Sequence, residues 1–307
     1  MKRDFLTMNN YKPDEVYQLL SKALDYKRQR RRGVTQRPLS GKTIALIFTK
    51  PSTRTRVSFE AAIAHLGGTA IYLTGSDLQL GRGESIEDTG RTLSRYVDAI
   101  VIRTFSHTDV EAWAAAASVP VINALTDSHH PCQALADLMT ILENKDRLAG
   151  IRLAFIGDGN NVCHSLLLAS AKVGMIMTVA TPKGFEPAKP VVEQAKIIAG
   201  GLSNFKVTRQ PAAAAKGADI IYTDVWTSMG QEEEAKTRLE AFQGYQVNAD
   251  LVAHASPRAI VMHCLPAHRG EEISADIIDG PRSVVFDQAE NRLHVQKALL
   301  AMLLSDG

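Results

Sequence analysis

Cysteine is scarce in this 307-residue chain: Cys132, Cys163 and Cys264 are odd in number and far apart. That spacing excludes a disulfide framework and matches no metal-ligand pattern, and the expectation is a reducing setting. Long hydrophobic runs are also missing. No stretch approaches the roughly 20 apolar residues of a membrane span, so no membrane partner is expected. Met1–Leu6 has neither the apolar core of a signal peptide nor an Arg/Ser-rich transit pattern. The reading is a cytoplasmic protein that works where it is made. Charge of one sign is not in excess: 35 basic against 33 acidic residues leave a net +2, too little to imply a nucleic-acid partner. The densest basic run, Lys27-Arg28-Gln29-Arg30-Arg31-Arg32, has no interleaved aromatics and reads as a solvated helix end rather than an RNA patch. There is no internal repeat. The only low-complexity segments are Ala114–Ala117 and Ala212–Ala215, which are good helix material.

What the chain does have is alternation. Short apolar runs at Ile44–Phe48, Ala70–Leu73, Ala99–Ile102, Val119–Asn123, Leu153–Ile156, Ile176–Ala180, Asp219–Thr223, Ile260–His263 and Val284–Asp287 read as strands with helical segments between them. This order predicts α/β architecture with parallel sheets. The length suits about two domains. A helix from about Gln133, carrying Leu135, Leu138, Met139 and Leu142, ends near Gly150, and a new strand series follows. The boundary is therefore placed at residue 150, giving domains 1–150 and 151–307. The last helix, about 288–304, could pack back on the first domain. Ligands of such domains bind at the carboxyl ends of the strands.

Ser52-Thr53-Arg54-Thr55-Arg56 lies at such an end. Ile44–Phe48 precedes it, and Phe59, Ile63 and Leu66 repeat at helical spacing after it until Gly67-Gly68. Ser52 is a candidate N-cap. A helix start already favours anions, yet Lys50, Arg54 and Arg56 crowd three cations onto it. Free N–H groups, hydroxyls and a guanidinium fork together suit a phosphate. The alternative is a solvated helix start whose charges pair with nearby acids.

Other strand ends carry polar residues. Arg103 follows Ala99–Ile102, where a salt bridge and a ligand role are equally open, and His130-Pro131-Cys132-Gln133 opens a helix, with Pro131 suited to its first turn. His130 alone could be a cap or a loop histidine. Gly157-Asp158-Gly159-Asn160-Asn161 follows a strand but is not a dinucleotide loop, because Val162 replaces the third glycine of G-x-G-x-x-G. Asp224 ends another strand, and Cys264 follows Ile260–His263. Alone, Cys264 would be a small buried hydrophobe. Beside a carboxylate on a neighbouring strand it becomes a candidate for holding a substrate amine.

With these residues in place, the chain resembles the carbamoyltransferases of the aspartate/ornithine superfamily, whose shared marks S-T-R-T-R and H-P-x-Q stand intact at Ser52–Arg56 and His130–Gln133. The later motifs, D-x-x-x-S-M-G at Asp224–Gly230 and H-C-L-P-A-H-R-G at His263–Gly270, resemble the ornithine carbamoyltransferase branch and not the aspartate one. The resemblance covers essentially the whole chain. It implies two doubly wound parallel-sheet domains, the first for carbamoyl phosphate and the second for ornithine, with the active site in the cleft between them. The implied reaction moves the carbamoyl group to the δ-amine of L-ornithine, giving L-citrulline and phosphate. By the same resemblance, Ser52, Thr53, Arg54 and Thr55 would hold the phosphate, and Arg103 and His130, with Thr55, would polarise the carbamoyl carbonyl. Gln133 would hold the carbamoyl amide, and the backbone at Cys264-Leu265 with Arg292 would complete that site. Gln79, in the loop Ser76–Gly83, would reach a neighbouring subunit of a homotrimer or an assembly of trimers. Here the aspartate enzymes supply a lysine, whereas this loop has only Arg82 as a basic residue. Asn161, Ser228 and Met229 would fix the α-amino and α-carboxylate groups of ornithine, and Asp224 and Cys264 would address its amines. Neither a metal nor an organic cofactor is implied.

The chemistry agrees with these residues. A lysine-like δ-amine, pKa about 10.4, costs roughly 4–5 kcal/mol to deprotonate at pH 7. Attack builds negative charge on the carbamoyl oxygen, which an oxyanion clamp would stabilise, and positioning two substrates supplies further catalysis. Two readings compete. A nicotinamide dehydrogenase leaves Ser52–Arg56 unexplained, and a non-catalytic phosphometabolite binder has no use for Asp224 and Cys264. Putrescine, acetylated or succinylated ornithine and aspartate are the rival acceptors.

Overall fold

The computed structural model describes residues 2–80, 83–200, 205–228, 230 and 232–304. Two compact units emerge, one made of Met1–Met139 with Glu290–Gly307, the other of Thr140–Ala289.

The first unit is built on a parallel sheet of β1 (Thr43–Phe48), β2 (Thr69–Thr74), β3 (Ala99–Arg103) and β4 (Val121–Leu125), in the order β2-β1-β3-β4. Every residue of β3 is buried and only the first of β1 is not, as expected of strands covered on both faces. The connecting helices are α2 (Thr53–His65), α3 (Ile86–Leu93) and α4 (His107–Ala116), with α1 (Pro13–Arg31) preceding the sheet and α5 (Pro131–Lys145) following it. The order reverses direction between β1 and β3, and the switch point of an open α/β sheet is where its ligand crevice lies.

The second unit repeats the plan with five strands: β5 (Arg152–Ile156), β6 (Ile176–Ala180), β7 (Phe205–Thr208), β8 (Ile220–Thr223) and β9 (Ile260–His263), ordered β7-β6-β5-β8-β9 and all parallel. Its switch point falls between β5 and β8. The helices are α6 (Asn161–Val173), α7 (Lys189–Ile198), α8 (Pro211–Ala215), α9 (Ala235–Ala241), α10 (Ala249–Ala253) and α11 (Ala275–Ile278), and α12 (Val285–Leu304) ends the described chain.

Eight of the expected strands are present, with ends shifted by up to two residues. The ninth is not. Val284–Asp287 is apolar enough to read as a strand, but it meets β9 through one isolated bridge, Val261 with Ser283, and a single bond from Val284 N–H to the Val261 carbonyl. From Val285 the chain turns into α12, whose buried face (Val285, Gln288, Asn291, Arg292, Val295) has helical period. The unforeseen strand is β7, a half-exposed edge whose Phe-Lys-Val-Thr alternation gives no continuous apolar run. The basic run at Lys27 also differs from expectation. It does end α1, but Lys27 is buried, donating from Nζ to Asn291 Oδ1 at 2.8 Å, so that part is not solvated.

Candidate active site

In the first unit, β1 and β3 are neighbours with Phe48 opposite Arg103, so the turn into α2 and the end of β3 share one edge of the sheet. Ser52 is the N-cap of α2: its Oγ accepts the Thr55 N–H at 3.2 Å, and the other amides of the first turn have no partner within the helix. The crowd of three cations resolves unevenly. Lys50 is buried against Asp127 (Nζ to Oδ1, 2.6 Å) with Phe105 beneath it, and Arg56 pairs with Glu60 at 3.0 Å while lying over the Tyr72 ring. Arg54 is left exposed, with no hydrogen bond or ion pair among the described residues. Two of the three charges therefore follow the pairing alternative, and one is left for a ligand.

Arg103 is buried and has no carboxylate partner among the described residues, and its Nε makes no hydrogen bond. Burial, with Arg292 and Arg54 adding repulsion, pushes its pKa down to about 10. The same surroundings act on His130. Burial first, then Arg292, Arg103 and Arg54, hold its ring well below the ordinary 6.5, so it is neutral at pH 7. Arg292, on α12, ties the rest together. It donates from Nη1 to Gln133 Oε1 at 2.7 Å and from Nη2 to Thr55 Oγ1 at 3.3 Å, and Nη1 lies 3.4 Å from His130 Nε2. Gln133 passes the chain on through Nε2 to Asp137 at 2.8 Å. Pro131 opens α5 as expected. The result is a concentration of positive charge beside a free helix start, a combination that fits an anion of phosphate type. Thr53 is exposed on the first turn of α2, and Gln79 is exposed on the loop after β2, its carbonyl accepting the Glu84 N–H at 3.3 Å; among the described residues no side-chain hydrogen bond joins Gln79 to the cluster. Arg82 lies outside the described residues.

The second unit presents the opposite chemistry at its own switch point. Asp224, buried after β8, accepts three hydrogen bonds: from Cys264 Sγ at 2.9 Å and Val225 N–H at 2.8 Å on Oδ1, and from Asn160 Nδ2 at 2.7 Å on Oδ2. Asn160 serves twice, because its Oδ1 also caps α6 by accepting from the N–H groups of Val162 and Cys163. Family resemblance points to its neighbour Asn161, but an asparagine directly before a helix is itself a capping signal. Asn161 opens α6, half-buried, and Ser228 is half-buried on the loop after β8. Met229 lies outside the described residues. Leu265 follows Cys264 with φ at 58°, and its N–H donates to His263 Nδ1 at 2.8 Å, so only its carbonyl remains for a ligand.

The G-x-G turn has a packing reason here. A Cβ on Gly159 would meet Pro187 N at 2.3 Å, so the glycine permits the loop at Phe185–Pro187 to close on the turn. Beneath lies a buried ion pair that the sequence did not reveal: Arg238 Nη1 to Asp158 Oδ2 at 2.7 Å, with a second bond from Nη1 to the Trp226 carbonyl at 3.0 Å. Burial raises Asp158 to about 6 even with Arg238 pulling it down.

A family model for the carbamoyl-P binding domain of aspartate/ornithine carbamoyltransferase matches residues 3–143, and one for the Asp/Orn binding domain matches 149–303. The chain is 57% identical over 305 residues to an ornithine carbamoyltransferase of Pyrococcus horikoshii, covering 98% of this chain and 96% of the relative. An anabolic ornithine carbamoyltransferase of Pyrococcus furiosus is 55% identical with the same coverage. Among solved structures, an ornithine carbamoyltransferase from Pyrococcus furiosus superposes with a TM-score of 0.96 over 99% of this chain and 97% of that one, at 55% identity. One from Thermus thermophilus gives 0.89 at 44% identity, covering 99% of each. With both domain models matched in order and relatives of this similarity along its whole length, the chain belongs to the aspartate/ornithine carbamoyltransferase family.

Proposed function

We propose that the chain transfers the carbamoyl group of carbamoyl phosphate to the δ-amine of L-ornithine, giving L-citrulline and phosphate. The observation that carries this is the pairing of two switch-point sites of opposite character in one chain: unpaired guanidinium groups beside a helix start in one unit, and a buried Asp224–Cys264 pair in the other. Phosphate binds at Ser52, Thr53, Arg54 and Thr55. Arg103 and neutral His130 donate to the carbamoyl oxygen as negative charge develops there, and the Gln133 carbonyl has a second lone pair for the carbamoyl amide. Arg292 sets Gln133, Thr55 and His130 in place and, with the backbone at Cys264-Leu265, completes the carbamoyl phosphate ligands.

Asp224 with Cys264 orients the amine, while Asn161, Ser228 and Met229 receive the α-amino and α-carboxylate groups. The nitrogen forms the new C–N bond, the C–O bond to phosphate breaks with its electrons going to phosphate, and the amine proton passes to the departing phosphate. Aspartate would bring a second carboxylate against Asp224, a like-charge contact that costs several kcal/mol once desolvated. Putrescine would leave the carboxylate donors unpaired.

The similarity to relatives including one named anabolic supports a place in arginine biosynthesis. Cytoplasmic location is in keeping with the fact that no helix among the described residues is long and apolar enough to cross a membrane. A homotrimer or an assembly of trimers, with Gln79 reaching into the neighbouring subunit, accounts for the exposure of that side chain. Supplying carbamoyl phosphate with ornithine, aspartate, putrescine and acylated ornithines, and identifying the carbamoylated product, tests the assignment. Citrulline should dominate; carbamoylaspartate or carbamoylputrescine at comparable specificity constants would overturn it.

A further inference from the structure

Beyond the transfer site, the stretch after β9 brings three metal-ligating side chains together. His268 Nδ1 lies 3.5 Å from Glu271 Oε2 and 4.0 Å from Glu272 Oε2, and the donor atoms of all three residues fall within 4.8 Å of one another. Glu272 is fully buried and its two oxygens are treated unequally. Oε1 is near His263 Nε2 at 3.1 Å and accepts the His268 N–H at 2.6 Å. Oε2 is shielded from solvent and accepts no hydrogen bond from the described residues. The 4.0 Å to His268 is too long for one, and a buried carboxylate oxygen with no donor is a group that calls for an explanation such as a bound ion.

The geometry points to a binding site for a borderline divalent cation, of which Zn²⁺ is the type, formed by His268 Nδ1, Glu271 and Glu272 Oε2. Bonds of about 2.0–2.2 Å to nitrogen and oxygen in a tetrahedral arrangement place ligand atoms about 3.4 Å apart. The observed 3.5 and 4.0 Å are close to that, and the two side chains that must adjust are His268 and Glu271, 49% and 42% exposed. One imidazole with two carboxylates suits Zn²⁺, Co²⁺ or Mn²⁺, whereas Mg²⁺ and Ca²⁺ prefer oxygen throughout. Three protein ligands leave a position for water on the exposed side.

The ion takes no part in carbamoyl transfer. Its effect is on the loop, because Glu272 also holds His263, whose Nδ1 accepts the Leu265 N–H directly after Cys264. Tying Glu272 and His268 to one ion therefore braces the segment that carries the Cys264 thiol.

A second group of donors, Asp224, His263 and Cys264, also falls within 4.8 Å. It differs in that both ring nitrogens of His263 and both oxygens of Asp224 are already engaged. The test removes it at the outset. Zn²⁺ is titrated against a chromophoric chelator into the full-length Cys264→Ala protein, then into that protein with His268→Ala or Glu271→Gln added. Melting temperatures are recorded with and without the ion. The expected result is one ion per chain for Cys264→Ala, bound about 10-fold or more weakly after either further change, with the ion's stabilisation lost in parallel. No binding by Cys264→Ala, or equal affinity in all three proteins, would overturn the proposal.

Discussion

Both units carry their polar residues at the same topological place, outside the carboxyl ends of two central strands where the strand order reverses. What they present there is opposite. At β1 and β3 the side chains are cationic, and two of them, Arg54 and Arg103, lack a carboxylate partner among the described residues. At β5 and β8 the central group is an anion, Asp224, with three donors around it, and the nearby cation Arg238 is spent on Asp158, Glu234 and the Trp226 carbonyl. One architecture thus serves an anionic substrate and an amine, and the difference lies wholly in the residues that follow the strands.

The largest effect should come from removing the anion. Asp224→Asn is expected to lower turnover of ornithine by about 10²-fold or more, the loss that follows when the reacting amine is misplaced. Steady-state kinetics over both substrates would show carbamoyl phosphate affinity little changed; a full-rate variant would erase the contrast. Next is the paired cation. Arg238→Ala leaves Asp158 buried and unpaired, a change that costs about 3–5 kcal/mol and is readable in denaturant unfolding. It should also push Asp158 above its present value of about 6.

A subtler contrast concerns pH. His130 is held below 6.5 in the folded chain, so unfolding at acid pH takes up a proton. Its contribution to stability is complete above pH 6.5 and is lost as the pH falls below that value toward the depressed folded pKa. An NMR titration should find the ring neutral at pH 6.5; a midpoint there would contradict the account. Any rise of activity with pH near neutrality then reports the substrate amine rather than His130. The smallest effect belongs to a cap. Ser52→Ala loses one bond at the start of α2, about 1 kcal/mol, lowering the melting temperature by about 2–4 °C. Asn160→Ala should cost more, since it removes two cap bonds and the Asp224 contact together.

Contiguous features were legible in the sequence. Ser52 caps α2 and Pro131 starts α5 because both signals sit beside the helices they define. The α/β alternation was legible because strands buried on both faces leave continuous apolar runs, and it failed where that link breaks, at half-exposed β7 and at the apolar start of α12. Pairings across long separations could not be read. Nothing near Lys50 announces Asp127, and Arg292 lies 237 residues from Thr55, so its place came only from family resemblance. The Asp158–Arg238 pair was hidden for the same reason, being 80 residues apart.

The division of labour is tested most directly by titrating inorganic phosphate calorimetrically into the parent chain and two variants. Arg54→Ala should weaken binding by roughly 1.5–3 kcal/mol, the worth of a hydrogen bond to a charged group. Asp224→Asn should bind phosphate as tightly as the parent chain does. Equal losses in the two variants, or no loss with Arg54→Ala, would contradict the assignment of the anion to the first unit.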